Sequence, residues 1–215
     1  MSWIDLFYPD IPKKREDLIR KNQEILDLMD SNFFATNQLI DVLNRHYNYS
    51  FKQIELNRND TVKKNCDVLI DCMHEIQAKV DEIDQELKEK LEPELYEKLK
   101  NMSITVDDFE KIAHIVKNVL GITDKAATVA FGILINKAMV LSDLISKIGK
   151  IATGLIGSVV LALVGLGIDI ILEASLGKYE RHELEKALKE YDEVLAEFKP
   201  KSREYEQVIT EVKSH

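Results

Sequence analysis

Apolar residues recur at helical spacing along almost the whole chain, and that spacing predicts helices. From Lys13 to about His46, the positions Leu18, Ile19, Ile25, Leu26, Met29, Phe33, Leu39, Ile40 and Leu43 follow one helical pattern, with His46–Ser50 as the exit turn. A second helix is expected from about Phe51 to Leu91. Within it Val62, Cys66, Leu69, Met73, Ile76, Val80, Ile83 and Leu87 are separated by 4,3,4,3,4,3,4 residues, an unbroken heptad seam. Pro93 should kink or restart it, because proline lacks the N–H a helix interior needs. Thr105, with Asp108 three residues on, reads as an N-cap ahead of an amphipathic segment that ends at a glycine cap, Gly121. Thr123-Asp124 then opens a more apolar helix to about Ile148, with a break at Gly149. Leu184, Leu188, Tyr191, Leu195 and Phe198 form a further stripe up to Pro200. A final helix capped by Ser202 uses Tyr205, Val208, Ile209 and Val212. No stretch combines strict alternation with β-branched enrichment, so no sheet is expected. The expected fold is all-α: an elongated bundle of five to six helices, with long coiled-coil-like helices and a glycine-rich apolar helix or hairpin. One domain covers residues 1–215, with amphipathic helices in 1–120, an apolar module in 121–177 and amphipathic C-terminal helices in 178–215.

The centre of that module is Ile151–Ile168, eighteen residues without a charge. Its ten Ile, Leu and Val side chains put on the order of 15–30 kcal/mol at stake between burial and exposure. A solvent-exposed position is therefore excluded. As a helix the run is about 27 Å long, close to the roughly 30 Å of a bilayer core. The candidates for insertion are Ile151, Leu155, Ile156, Val159, Val160, Leu163, Val164 and Ile168. Gly154, Ser158 and Ala162 recur every four residues and, with Gly157 and Gly165, leave faces almost without side chains that let another helix approach closely. Three fates remain open for the run: permanent core of a soluble bundle, conditional release into lipid, or constitutive anchoring.

Composition sharpens this division. All eight glycines lie between Gly121 and Gly177, and all four prolines lie outside that window. Its charges cancel, so the net charge of -9 belongs to the flanking arms. A pI near 5.2 argues against nucleic acid, which needs clustered Lys and Arg, and leaves any lipid affinity mainly hydrophobic. The N-terminal MSWIDLFYPDIPKKRED shows no basic and then apolar leader pattern. The chain is expected to be soluble, cytoplasmic or non-classically released, and membrane-associated on triggering. Its two cysteines, Cys66 and Cys72, stand about 120° apart and roughly 9 Å along a helix, which prevents their pairing there.

No catalytic constellation is recognisable, so a non-enzymatic protein without a cofactor or metal is expected. His74-Glu75 and His182-Glu183 lack the second histidine of a zincin, and Gly149-Lys150-Ile151 lacks the hydroxyl residue and upstream spacing of a phosphate loop. The glycines around Ser158 do not form a nucleophile elbow. His114 and His182 flank the apolar region and Asp169 closes it. These three are the candidates for a pH response.

The heptad-bearing helix Val62–Leu87, the glycine-rich run Ile151–Ile168 and the amphipathic stripe Leu184–Phe198 together resemble the plan of helical pore-forming toxins of the haemolysin E type, including the tripartite enterotoxin components. The resemblance implies a rod of long helices that stores an apolar element against the bundle and releases it into membranes. The run Ile151–Glu185 is also similar to the membrane-addressing region of apolipoprotein-L-like proteins. The partners implied are a lipid membrane, conditionally, and a second copy or another helical protein.

Overall fold

A computed structural model describes residues 10–47, 49–154 and 177–214. The described residues are all-α and contain no strand. Among the described residues seven helices follow one another: α1 (Ile11–Tyr47), α2 (Val62–Lys90), α3 (Pro93–Lys100), α4 (Val106–Leu120), α5 (Lys125–Asn136), α6 (Ala138–Gly154) and α7 (Gly177–Lys213). The restart at Pro93 is the one its missing N–H leads one to expect, and a further break falls at Lys137.

Several boundaries follow the chemistry of their residues. Thr105 and Asp108 form a reciprocal capping box on α4, and Gly121 closes that helix in the left-handed conformation, φ 69°. Pro93 sits in the first turn of α3, where no N–H is needed. Asp124 caps α5 by accepting from the Ala126 N–H. On α2 the heptad seam from Cys66 to Leu87 is buried throughout.

Three expectations are corrected. Residues 49–61 are not the start of α2, which begins only at Val62, with Thr61 as its N-cap. Gly149 lies inside α6, and the break falls at Lys137. α7 runs through Pro200 without interruption. Ser202 is fully buried and lies 3.2 Å from Asn32 Oδ1 on α1, so its hydroxyl ties helices together and starts none.

The longest helices, α1 and α7, pair side by side. Lys14 meets Glu185, Lys21 meets Asp192, Asn22 meets Tyr191, Asn32 meets Ser202 and Thr36 meets Tyr205. Each partner lies about 170 residues further along, so the two helices are parallel. Asn32, Thr36, Ser202 and Tyr205 are buried, and their directional bonds specify this register where apolar packing alone tolerates sliding. α6 runs antiparallel to α7, with Asp143 opposite Lys201 and Lys147 opposite Glu197. α2 lies along α6.

Between α1 and α2 the chain returns as a strap, residues 49–60, free of helix and strand up to Asn57 and closing in a turn at residues 58–60. Asn44 donates to the Phe51 carbonyl and accepts from the Phe51 N–H, at 2.9 Å each. Asn37 does the same for Ile54, at 2.8 and 2.9 Å. Asn65 on α2 does so for Asn57, at 2.9 and 2.8 Å. Arg58 then reaches Asp30 at 3.0 Å, so the strap descends α1 in the direction opposite to the helix.

Candidate functional site

The described part of the apolar module is α5, α6 and their surroundings. Six consecutive residues of α5, Ala130–Ile135, are buried. At 100° per residue they cover more than a full turn, so this part of the helix has no solvent face. α2, α3, α4, α6 and α7 all pack against it. A Cβ on Gly132 would stand 2.9 Å from Leu99 Cδ1 and 3.3 Å from Met102 Sδ, so the missing side chain is what lets α3 approach.

Polar contacts hold both ends of α5. The Tyr47 hydroxyl donates to the Ala127 carbonyl. Its ring meets Phe131 edge-on at 4.9 Å and stacks on Tyr49 of the strap at 6.4 Å. Burial pushes the Tyr47 hydroxyl well above its ordinary range, so it remains a protonated donor. His46 Nδ1 lies 3.0 Å from Asp124, the residue that caps α5. At the far end Asn136 donates to the Lys100 carbonyl.

α6 is built differently. Val140, Leu141, Leu144, Ile145, Ile148, Ile151 and Ala152 are buried, whereas Ser142, Ser146, Lys150 and Thr153 are exposed. One face therefore packs, while groups outside it carry ties. Lys147 and Lys150 both donate to Glu197 of α7, at 2.7 and 3.0 Å. Those two ammonium groups, Lys147 foremost, pull the Glu197 carboxyl down to about 2. Gln77 of α2 donates to Ser142 at 2.6 Å.

Of the residues selected from the sequence, Ile151 is 1% exposed on the packed face of α6, and Gly154 is the last residue of that helix. Leu155, Ile156, Gly157, Ser158, Val159, Val160, Ala162, Leu163, Val164, Gly165, Ile168 and Asp169 lie outside the described residues. His114 is exposed on α4, with Nε2 3.2 Å from the Asn118 amide, and His182 is exposed on α7. Tyr47, the His46–Asp124 pair and the fork on Glu197 escape sequence reasoning. One available signal for the strap is the seven-residue spacing of Asn37 and Asn44, which places them on one face of α1.

Among the described residues no group of three or more His, Cys, Asp or Glu is arranged to hold a metal. Burial pushes the Cys66 and Cys72 thiols up to about 12 and about 11, which leaves both un-ionised at neutral pH. Among the same residues no single helix is long and apolar enough to cross a membrane. α4 and α5 together have the length and composition, but they meet at a bend of 91°.

Residues 14–175 match the family described as Protein of unknown function (DUF4533). No solved structure matches the chain.

Proposed function

The chain belongs to the DUF4533 family, and for it we propose a non-enzymatic, membrane-active role as an elongated bundle with coiled-coil-like long helices. In this reading the part of the apolar run that follows α6, residues 155–172, docks on or inserts into lipid, alone or as a homo-oligomer, while α5 and α6 remain as core. The observation that carries it is the charge-free stretch Ile151–Ile168, whose ten branched aliphatic side chains must be enclosed by protein or by lipid. The burial of α5 on every side supports the division of labour. Drawing out α5 exposes Phe131, Ile133, Leu134 and Ile135 to water, at about 1.5–3 kcal/mol each, before any lipid contact is gained. Membrane contact therefore belongs to the part of the module that follows α6.

A second reading, a helical interaction or hydrophobic-ligand-binding bundle that keeps the run as permanent core, is favoured by Ile151 and Ala152. These first residues of the run are 1% and 6% exposed. Flotation with liposomes and dye release separate the two readings. The membrane reading expects the wild-type chain to float and Val160→Asp to remain helical, melt near the wild-type temperature and stay in the aqueous fraction. A wild-type chain that never floats, together with a Val160→Asp chain that unfolds, establishes the permanent core.

A further inference from the structure

α6 and α7 border a cavity of about 360 Å3, lined by Lys147, Lys150 and Thr153 of one helix and Glu190, Glu193 and Glu197 of the other. Each trio recurs at steps of three or four residues, so each occupies one face of its helix. The helices are antiparallel, with Lys147 opposite Glu197. Thr153 and Glu190 therefore share the other end of the cavity, next to Gly154, the last residue of α6 before the run 155–172.

The charges in this lining are unevenly matched. Both lysines converge on Glu197, at 2.7 and 3.0 Å. Glu193 has Lys189 of its own helix at 3.8 Å, both side chains largely in solvent. Glu190 is different: its Oε2 is closed off from solvent and has no hydrogen-bond partner. An occluded acceptor is costly unless a donor reaches it. The donor that fits is small and positive and carries N–H groups, because three carboxylates line the cavity against two ammonium groups. A primary ammonium meets both demands. A quaternary ammonium has no N–H to give and is recognised by aromatic rings, none of which is among the described residues lining the cavity. Thr153 donates its own hydroxyl proton to the Gly149 carbonyl at 2.9 Å, which leaves its oxygen free to accept.

We propose that the cavity binds a primary ammonium group on Glu190, beside Glu193 and Thr153, and that its source is the headgroup of phosphatidylethanolamine. Glu190 lies at the end of the cavity from which the run 155–172 continues, so a headgroup arriving from that side reaches it with the ammonium, the group furthest from the acyl chains. The lipid source rests on the membrane reading above, whereas the ammonium site stands without it.

The test has a solution arm and a vesicle arm, both on the full-length chain. In solution, O-phosphoethanolamine should shift the NMR signals of the Thr153 and Glu190 amides, and O-phosphocholine should bind about tenfold more weakly. Glu190→Gln keeps the shape, removes the charge and should erase that preference. No binding of O-phosphoethanolamine, equal binding of the two compounds, or a preference that survives Glu190→Gln overturns the site. Glu190 Oε2 has no bond in the fold to lose, so the variant is expected to melt no lower than the wild type. A fall of about 3 °C or more assigns Glu190 a structural tie and also rejects the site. In the vesicle arm, flotation should be about tenfold stronger when part of the phosphatidylcholine is replaced by phosphatidylethanolamine, and Glu190→Gln should remove the difference. Equal flotation on both vesicles, with the solution preference intact, keeps the membrane reading and rejects the headgroup as the source. A chain that shows the solution preference yet floats on neither vesicle keeps the ammonium site and rejects the lipid source together with the membrane reading.

Discussion

α5 and the strap are each about twelve residues long and share one neighbour, Tyr47, yet they are held by opposite means. α5 satisfies its backbone internally and presents apolar side chains in every direction, so its stability comes from burial. The strap has no internal ladder; the backbone of Phe51, Ile54 and Asn57 pairs with three asparagine side chains, and only Tyr49, Phe51, Ile54 and Leu56 lean on the core. Burial is non-directional and large, and it makes α5 costly to move. Amide pairing is directional and small per bond, and it fixes the register of the strap on α1. The Tyr47 ring joins the two, with Phe131 on one side and Tyr49 on the other.

Three measurements break or sharpen that comparison. The largest effect is expected for Phe131→Ala, which empties a site only 2% exposed. It should cost about 3–5 kcal/mol and lower Tm by about 10 °C or more. A change below about 1 kcal/mol means that α5 is not held by burial. Next, Asn37→Ala with Asn44→Ala should reduce global stability by about 1–3 kcal/mol while removing exchange protection throughout the strap. Retained protection of the Phe51 and Ile54 amides assigns the strap to the same cooperative unit as α5. The smallest effect concerns α6, where an apolar face and charged ties occur on one helix. Glu197 titrates near 2 in the folded chain instead of its ordinary 4.5. Its contribution is fully present above about 4.5 and is lost as pH falls towards 2. Between pH 7 and 2.5 the wild-type Tm should therefore fall more steeply than that of Glu197→Gln, and parallel curves rule out a role for the fork.

The difference between α5 and the strap also explains what could be read from the sequence. Periodicity is a record of burial, so the heptad seam of α2, the stripes of α1 and α7 and the cap residues Thr105 and Gly121 were legible. Phe51 and Ile54 stand three apart, a spacing shared by a helical face and by a chain anchored at every third residue, so their pattern does not separate the strap from a helix. Asn57, Asn59, Asp60 and Thr61 are turn and cap residues and mark the true start of α2, although the apolar pattern overrides them. At Lys137 no glycine or proline marks the break. Just before it, the Asn136 side chain is held by the Lys100 carbonyl, a tertiary contact that local sequence does not contain. α7 crosses Pro200 because Phe198 and Tyr205, on either side, are fully buried on one continuous packed face. Within the candidate site, the apolar character of α5 and α6 was visible, whereas the polar grips from Tyr47, His46 and Glu197 join residues 50 to 80 positions apart.

The parallel pairing of α1 with α7 also bears on how the molecule is made. The buried polar threads between the two helices join residues about 170 positions apart, so the register they specify cannot form until almost the whole intervening chain exists. At 5–20 residues per second, that leaves α1 without its main partner for roughly 10–30 s on the ribosome. During that interval Leu18, Ile25, Met29, Leu39 and Leu43, all at most 1% exposed in the finished fold, form an apolar strip awaiting a surface. Biosynthesis of this chain thus has a late closing step and a correspondingly long period in which chaperones can act on α1.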